Sequence, residues 1–257
     1  MRRDPEDYAT RNPAHRVGGV ARRVLSVLSQ ELKGIYPDLP DCVLVRYLEQ
    51  MEAAILHPGV ERADKVLNLM RRSGIRDADI ADFYIPVIAR RLGEGWVADT
   101  LDFAAVTTGS ARLQDMLRRL DSSWCTPADK HIGMRGEYCV IVPEGVQHSL
   151  GARILAGQLR RAGCNVHLKI ELPVAQIAQT VGSADFRGVF VSATSRESLD
   201  FLRCVVTQAR DGNAWSPVLL GGNVLERGFE VDSVVGADFA TNDWSDALRF
   251  CERRVEQ

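Results

Sequence analysis

From about Glu137 onward, short apolar runs of strand length alternate with amphipathic segments of helical period, and that rhythm leaves few folds open. The strand-like runs fall at 138–142, 165–170, 188–192, 217–220 and 233–235. The helical segments fall at 149–162, 174–181, 195–210, a short stretch near Val224, and 242–254. Strands that alternate with helices pair in parallel, because each helix returns the chain across a face of the sheet. The expectation is a flavodoxin-like, five-stranded parallel sheet. Ligands of such sheets sit outside the carboxyl ends of the strands, where the strand order reverses.

The upstream half has a different period. Between residues 16 and 120 apolar residues recur at helical spacing with few β-branched runs, which predicts a helical bundle with helices at 17–33, 41–56, 60–73, 77–92 and 94–120. Tyr36-Pro37-Asp38-Leu39-Pro40, His57-Pro58-Gly59 and Ser73-Gly74 supply the breaks. The expected organisation is a flexible basic arm at 1–15, the helical bundle at 16–120, a linker at 121–136 and the α/β domain at 137–257. Arg2, Arg3, Arg11, Arg16, Arg22 and Arg23 make the first segment basic, as a solvated terminus or an arm that contacts DNA or a partner.

Composition excludes several classes. With 46% hydrophobic and 26% charged residues and a net charge of −2, the 257-residue chain is of ordinary globular type and carries no global drive toward nucleic acid. No apolar run approaches the ~20 residues that cross a bilayer. The first residues lack the apolar core of a secretion signal, so a cytoplasmic protein without membrane contact is expected. Cys42, Cys125, Cys139, Cys164, Cys204 and Cys251 are scattered singly, against both a zinc site and a disulfide framework. No Ser/His/Asp triad or phosphate loop is present, and no enzymatic activity is expected.

Three features fall at the carboxyl ends of predicted strands: Val146-Gln147-His148-Ser149-Leu150-Gly151, Ser192-Ala193-Thr194 and Gly221-Gly222. They are separated by 40 residues (152–191) and 26 residues (195–220). This resembles the cobalamin-binding domain family, whose pattern is Asp-x-His-x-x-Gly, about forty residues, Ser-x-Leu, somewhat under thirty, then Gly-Gly. The resemblance implies a cobalamin, as hydroxo- or alkylcobalamin, with His148 as the lower axial ligand of cobalt. Imidazole nitrogen is a good donor for that metal. His148 would displace the cofactor's dimethylbenzimidazole, whose tail would thread beside the sheet past Gly151 and Gly221-Gly222, where glycine leaves room. Ser149 and Leu150 complete the motif, and the Ser192 hydroxyl would donate to a ring nitrogen of the tail.

Two positions depart from the pattern. Val146 stands where the family has Asp, so His148 lacks the usual carboxylate on its second nitrogen unless Glu144 folds back. Thr194 stands where the family has Leu, which makes the tail pocket slightly more polar. Upstream, Trp96-Val97-Ala98-Asp99 followed by Phe103 and Val106-Thr107 resembles the cap-helix motif that precedes many cobalamin domains, with the tryptophan over the upper corrin face. Positions 96, 99, 103 and 106 share one face of the helix predicted over 94–120, so these side chains also suit a helical core.

Cap, cofactor domain, missing Asp and the absence of an attached catalytic or helix-turn-helix domain together resemble the PpaA/AerR-type cobalamin-binding antirepressors. That resemblance implies a light-responsive regulator acting on a transcriptional repressor of photosystem genes, with DNA contacted only through or with that partner. The alternatives are a corrinoid carrier of a methyltransferase system, which normally keeps the Asp, and a haem-binding sensor of the same fold. Val97 cannot coordinate cobalt, so His131, and next His15, are the candidates for an upper axial ligand.

Overall fold

The computed structural model describes residues 45–255 apart from 58, 121, 127–134, 147 and 228–229. The arm, the helix expected at 17–33, Cys42, His15, His131 and most of the linker lie outside the described residues. The chain divides between Met116 and Leu117 into two compact units.

The first unit is helical, as expected. Helices α1 (Val45–Leu56) and α2 (Val60–Arg72) are followed by one α-helical turn (Asp77–Asp79), a π-helical turn (Ile80–Tyr84) and α3 (Ile85–Val97). Pro86 explains the π turn: it has no N–H to donate, so the hydrogen-bond ladder widens just before it. Leu48, Met51, Ile55, Leu67, Met70, Ile80, Tyr84, Ile85, Ile88 and Leu92 form a fully buried seam. Arg91 pairs with Glu52 at 2.7 Å to tie α3 to α1.

The helix expected over 94–120 is corrected here. Its first residues belong to α3, and α4 (Phe103–Arg119) is a separate helix. Asp99 adopts a left-handed conformation (φ 55°) and ends α3, while the Gly95 carbonyl accepts from the N–H groups of Thr100 and Leu101 at 2.9 and 3.0 Å. The Asp102 carboxylate then accepts from the Ala105 N–H at 2.7 Å and caps α4. Positions 96 and 99 therefore do not share a helix with 103 and 106.

The second unit is the expected α/β domain. Its strands are β1 (Glu137–Pro143), β2 (Asn165–Leu172), β3 (Phe186–Ser192), β4 (Val218–Gly221) and β5 (Phe239–Ala240), in the order β2-β1-β3-β4-β5 and all parallel. Its helices are α5 (Leu150–Arg161), α6 (Val174–Val181), α7 (Leu199–Gly212), α8 (Val231–Val235) and α9 (Trp244–Val255). Alternate residues of β1 feed two cores: Cys139 and Ile141 join Ile177, Val205 and Val224 on one face, Tyr138, Val140 and Val142 join Ala152, Leu159 and Leu248 on the other.

The strand expected at 233–235 is also corrected. Val231–Val235 is a helical turn, closed by Gly236 at φ 78°, and the last strand is Phe239–Ala240, in register with Leu219 and Leu220. Asp238 leads into it. The Asp238 carboxylate, only 6% exposed, is held by Arg210 at 2.9 Å, Arg254 at 3.1 Å and the Val218 N–H at 2.8 Å, which locks α7, α9 and the start of β4 together.

Candidate cobalamin site

The strand order reverses between β1 and β3, so the loops that leave their carboxyl ends frame a crevice. After β1 the chain turns through Glu144 and Gly145 (φ 84°), with the Glu144 N–H donating to the Leu172 carbonyl of β2 at 2.9 Å. Val146 then drops into the core and is 4% exposed, packed with Tyr138, Val140 and Val142. His148 is exposed, and neither it nor Glu144 makes a side-chain hydrogen bond or ion pair among the described residues. The substitute carboxylate contact from Glu144 is therefore not formed.

Ser149 precedes α5; its side chain is buried and caps nothing, while its carbonyl accepts from the Arg153 N–H at 3.0 Å. Leu150 is half-buried. Gly151 follows in the first turn, and a Cβ placed there would meet nothing within 4 Å. Farther along the same helix the contrast is sharp: a Cβ on Gly157 would fall 2.2 Å from the Trp124 ring, which fills that face.

On the other side of the crevice, Ser192 ends β3 half-buried beside Gly221 of β4. Thr194 is buried, and Glu197 folds back onto it. The Glu197 carboxylate accepts from the Thr194 N–H, and from its hydroxyl at 2.9 Å. The polarity that replaces Leu in the family pattern is thereby satisfied within the loop.

Gly221 and Gly222 are demanded by the protein itself. Gly222 has φ 110°, and a Cβ there would lie 2.1 Å from the Ala193 carbonyl oxygen. A Cβ on Gly221 would meet the Thr241 carbonyl at 3.0 Å. The pair lets the loops after β3, β4 and β5 touch. Asn242, which the sequence reading missed, clamps Gly222 by two hydrogen bonds. Of the three motif glycines, Gly151 alone borders space that the protein leaves open.

In the first unit, Trp96 is 37% exposed and Phe103 71% exposed, on either side of the break between α3 and α4. They are not core residues. With Val97 they give this end of the unit an apolar surface in water, while Val106 is half-buried. Among the described residues no group of three or more His, Cys, Asp and Glu could hold a metal, and no helix is long and apolar enough to cross a membrane.

Residues 137–247 match the B12 binding domain. An uncharacterised 20.5 kDa protein in the bchF-crtJ intergenic region of Rhodobacter capsulatus is 30% identical over 185 residues, which are 71% of this chain and 95% of that protein. The chain belongs to the B12-binding family. Among solved structures, the monomethylamine corrinoid protein of Methanosarcina barkeri has a TM-score of 0.65 at 13% identity, with 80% of this chain and 96% of that one covered, a likeness of fold.

Cobalamin is thus the cofactor of this B12-binding protein, as its sequence motif implied. The residues present are compatible with the group. At the switch-point end of the sheet the His148 imidazole is exposed and makes no hydrogen bond among the described residues, and Gly151, exposed at the start of α5, has open space beside it.

Proposed function

We propose that the chain is a cobalamin-dependent, light-responsive transcriptional regulator, acting as an antirepressor toward a photosystem-gene repressor. The observation that carries this reading is the pairing of a free His148 with a buried Val146. The site can ligate cobalt, yet no carboxylate stands ready to relay protons to the ligand as the metal changes oxidation state. That suits a cofactor that senses. The relative encoded in a photosynthesis gene cluster supports the same setting.

In this reading His148 would hold the cobalt, while Gly151, Ser192, Thr194 and the Gly221-Gly222 turn, with Ser149 and Leu150 at the helix start, would shape the tail channel. Val146 supports the loop from the core side. Trp96 and Phe103, by the resemblance of their segment to the cap-helix motif, would supply apolar cover for the corrin. An alkylcobalamin, when bound, would supply a light-labile cobalt–carbon bond. His131 is the first candidate for a second protein donor to the cobalt and His15 the second, and engagement of either would alter the surface offered to the repressor. A partner that prefers one of the two states shifts their populations.

The fold likeness to a corrinoid protein supports methyl carriage as a second reading. The two are separated by one experiment. Repressor binding to its DNA is measured with the apo protein and with the hydroxocobalamin and adenosylcobalamin forms, in darkness and after illumination. Relief of repression that depends on cofactor and light is expected. Equal repressor binding in every arm overturns the regulatory reading, and methyl transfer to a thiol at enzymic rates, ~1 per second or faster, establishes the carrier.

A further inference from the structure

The amino-terminal end of the strands, opposite the switch-point loops, carries Trp215, which is 92% exposed. It sits in the connection from α7 to β4, on a backbone that is fixed at three points. The Trp215 N–H donates to Asn213 Oδ1 at 2.9 Å, the buried Ser216 hydroxyl donates to the Phe186 carbonyl at 2.5 Å, and the Pro217 carbonyl accepts from the Val189 N–H at 2.9 Å. A large aromatic side chain held in water by an ordered loop is a poor arrangement for stability and a good one for recognition.

Two carboxylates near it lack an ion pair among the described residues. Asp185 is exposed, directly precedes the Phe186 that anchors Ser216, and makes no ion pair among the described residues. Asp211 is exposed near the end of α7, with only the Gln208 amide at 3.4 Å. Of the neighbouring arginines, Arg210 is engaged elsewhere, whereas Arg187 is exposed and makes no ion pair among the described residues. Arg210 is bound to Asp238 and to the Gly236 carbonyl. The Arg187 stem lies over Gly136, where a Cβ would come within 2.4 Å of it.

We propose that this end of the α/β unit docks a basic, arginine-presenting segment of a partner protein, with a guanidinium stacked on the Trp215 ring and paired with Asp185 and Asp211. Guanidinium suits both contacts at once, since it is planar, always charged and readily stacked on an aromatic face. The surface lies at the other end of the strands from His148, so it stays available whether or not cobalamin is bound. The inference goes beyond the regulatory reading and does not depend on it.

The test uses the full chain and fluorescein-labelled alternating Arg-Ala, Lys-Ala and Glu-Ala peptides, read by fluorescence anisotropy at low and high salt. Arg-Ala is expected to bind best and Glu-Ala not at all. Trp215→Ala is expected to weaken Arg-Ala binding about tenfold, Trp215→Phe to retain most of it, and Asp185→Asn with Asp211→Asn to weaken it and flatten its salt dependence. Because these side chains are exposed, unfolding curves of the variants should overlay the wild type. Unchanged binding by Trp215→Ala overturns the proposal. So does a concentration-dependent dimer, seen by sedimentation, that vanishes in Trp215→Ala while peptide binding stays, since the face would then serve a second copy of the chain.

Discussion

Asn242 grips the peptide of Gly222 at both ends: its Oδ1 accepts from the Gly222 N–H at 2.7 Å, and its Nδ2 donates to the Gly222 carbonyl at 3.3 Å. The loop after β4 is thus shaped by a residue beyond β5. Asn242→Ala should destabilise the domain by about 1–2 kcal/mol through the lost pair of hydrogen bonds. Gly222→Ala should be worse, roughly 2–4 kcal/mol, because the added carbon meets the Ala193 carbonyl at a backbone angle that suits glycine. Urea denaturation of the two variants gives both values, and a Gly222→Ala protein as stable as wild type would contradict the close approach.

A substitution at Gly151 tests the proposed tail channel apart from folding. Gly151→Leu adds a side chain where the protein has no neighbour within 4 Å, so stability should change by no more than about 0.5 kcal/mol. Cobalamin retention through gel filtration should nevertheless be lost, because the tail's space is filled. On the same helix Gly157→Ala should do the reverse, displacing the Trp124 ring and shifting its fluorescence while leaving uptake intact.

His148→Ala tests the axial ligand directly. The side chain is exposed and unpaired, so the unfolding midpoint should stay where it is. The absorption spectrum of the histidine-ligated, base-off cofactor should disappear, with binding weakened. A variant whose bound corrinoid has the wild-type spectrum would remove His148 from the site.

Stability should also fall at alkaline pH. Burial raises the Cys139 and Cys164 thiols to about 11 and Cys251 to about 12, against an ordinary value of 9.0. Above about pH 9 the unfolded chain releases these protons and the folded chain keeps them. The contribution is therefore whole below pH 9 and is lost as pH rises toward 11–12. Denaturation curves between neutral pH and pH 10.5 should show the decline. At neutral pH, iodoacetamide should modify the exposed Cys204 well before these three.

The parallel sheet was legible because β1, β3 and β4 are largely apolar runs bounded by turn residues, as interior strands must be, while β2, at the edge, alternates apolar residues with His167, Lys169 and Glu171. The last strand was not. Ser233-Val234-Val235 has the composition of a strand, yet lies in a helical turn, while Phe239–Ala240 is too short to show any alternation. The break between α3 and α4 hid inside a continuous apolar period, although Asp102 was a readable cap. In the site, the His148 and Gly151 spacing was visible as a motif. Asn242 was not, because its partner lies 20 residues away and nothing local announces the contact.

The burial of Val146 makes the departure from the family pattern hard to reverse. An aspartate placed there would enter a core shared with Tyr138, Val140 and Val142, in a pocket shaped for an aliphatic side chain. An unpaired carboxylate in such a place is disfavoured by several kcal/mol. A single Val146→Asp substitution would therefore loosen the fold before it could serve His148, so the core, and not the loop, keeps a carboxylate out of this position.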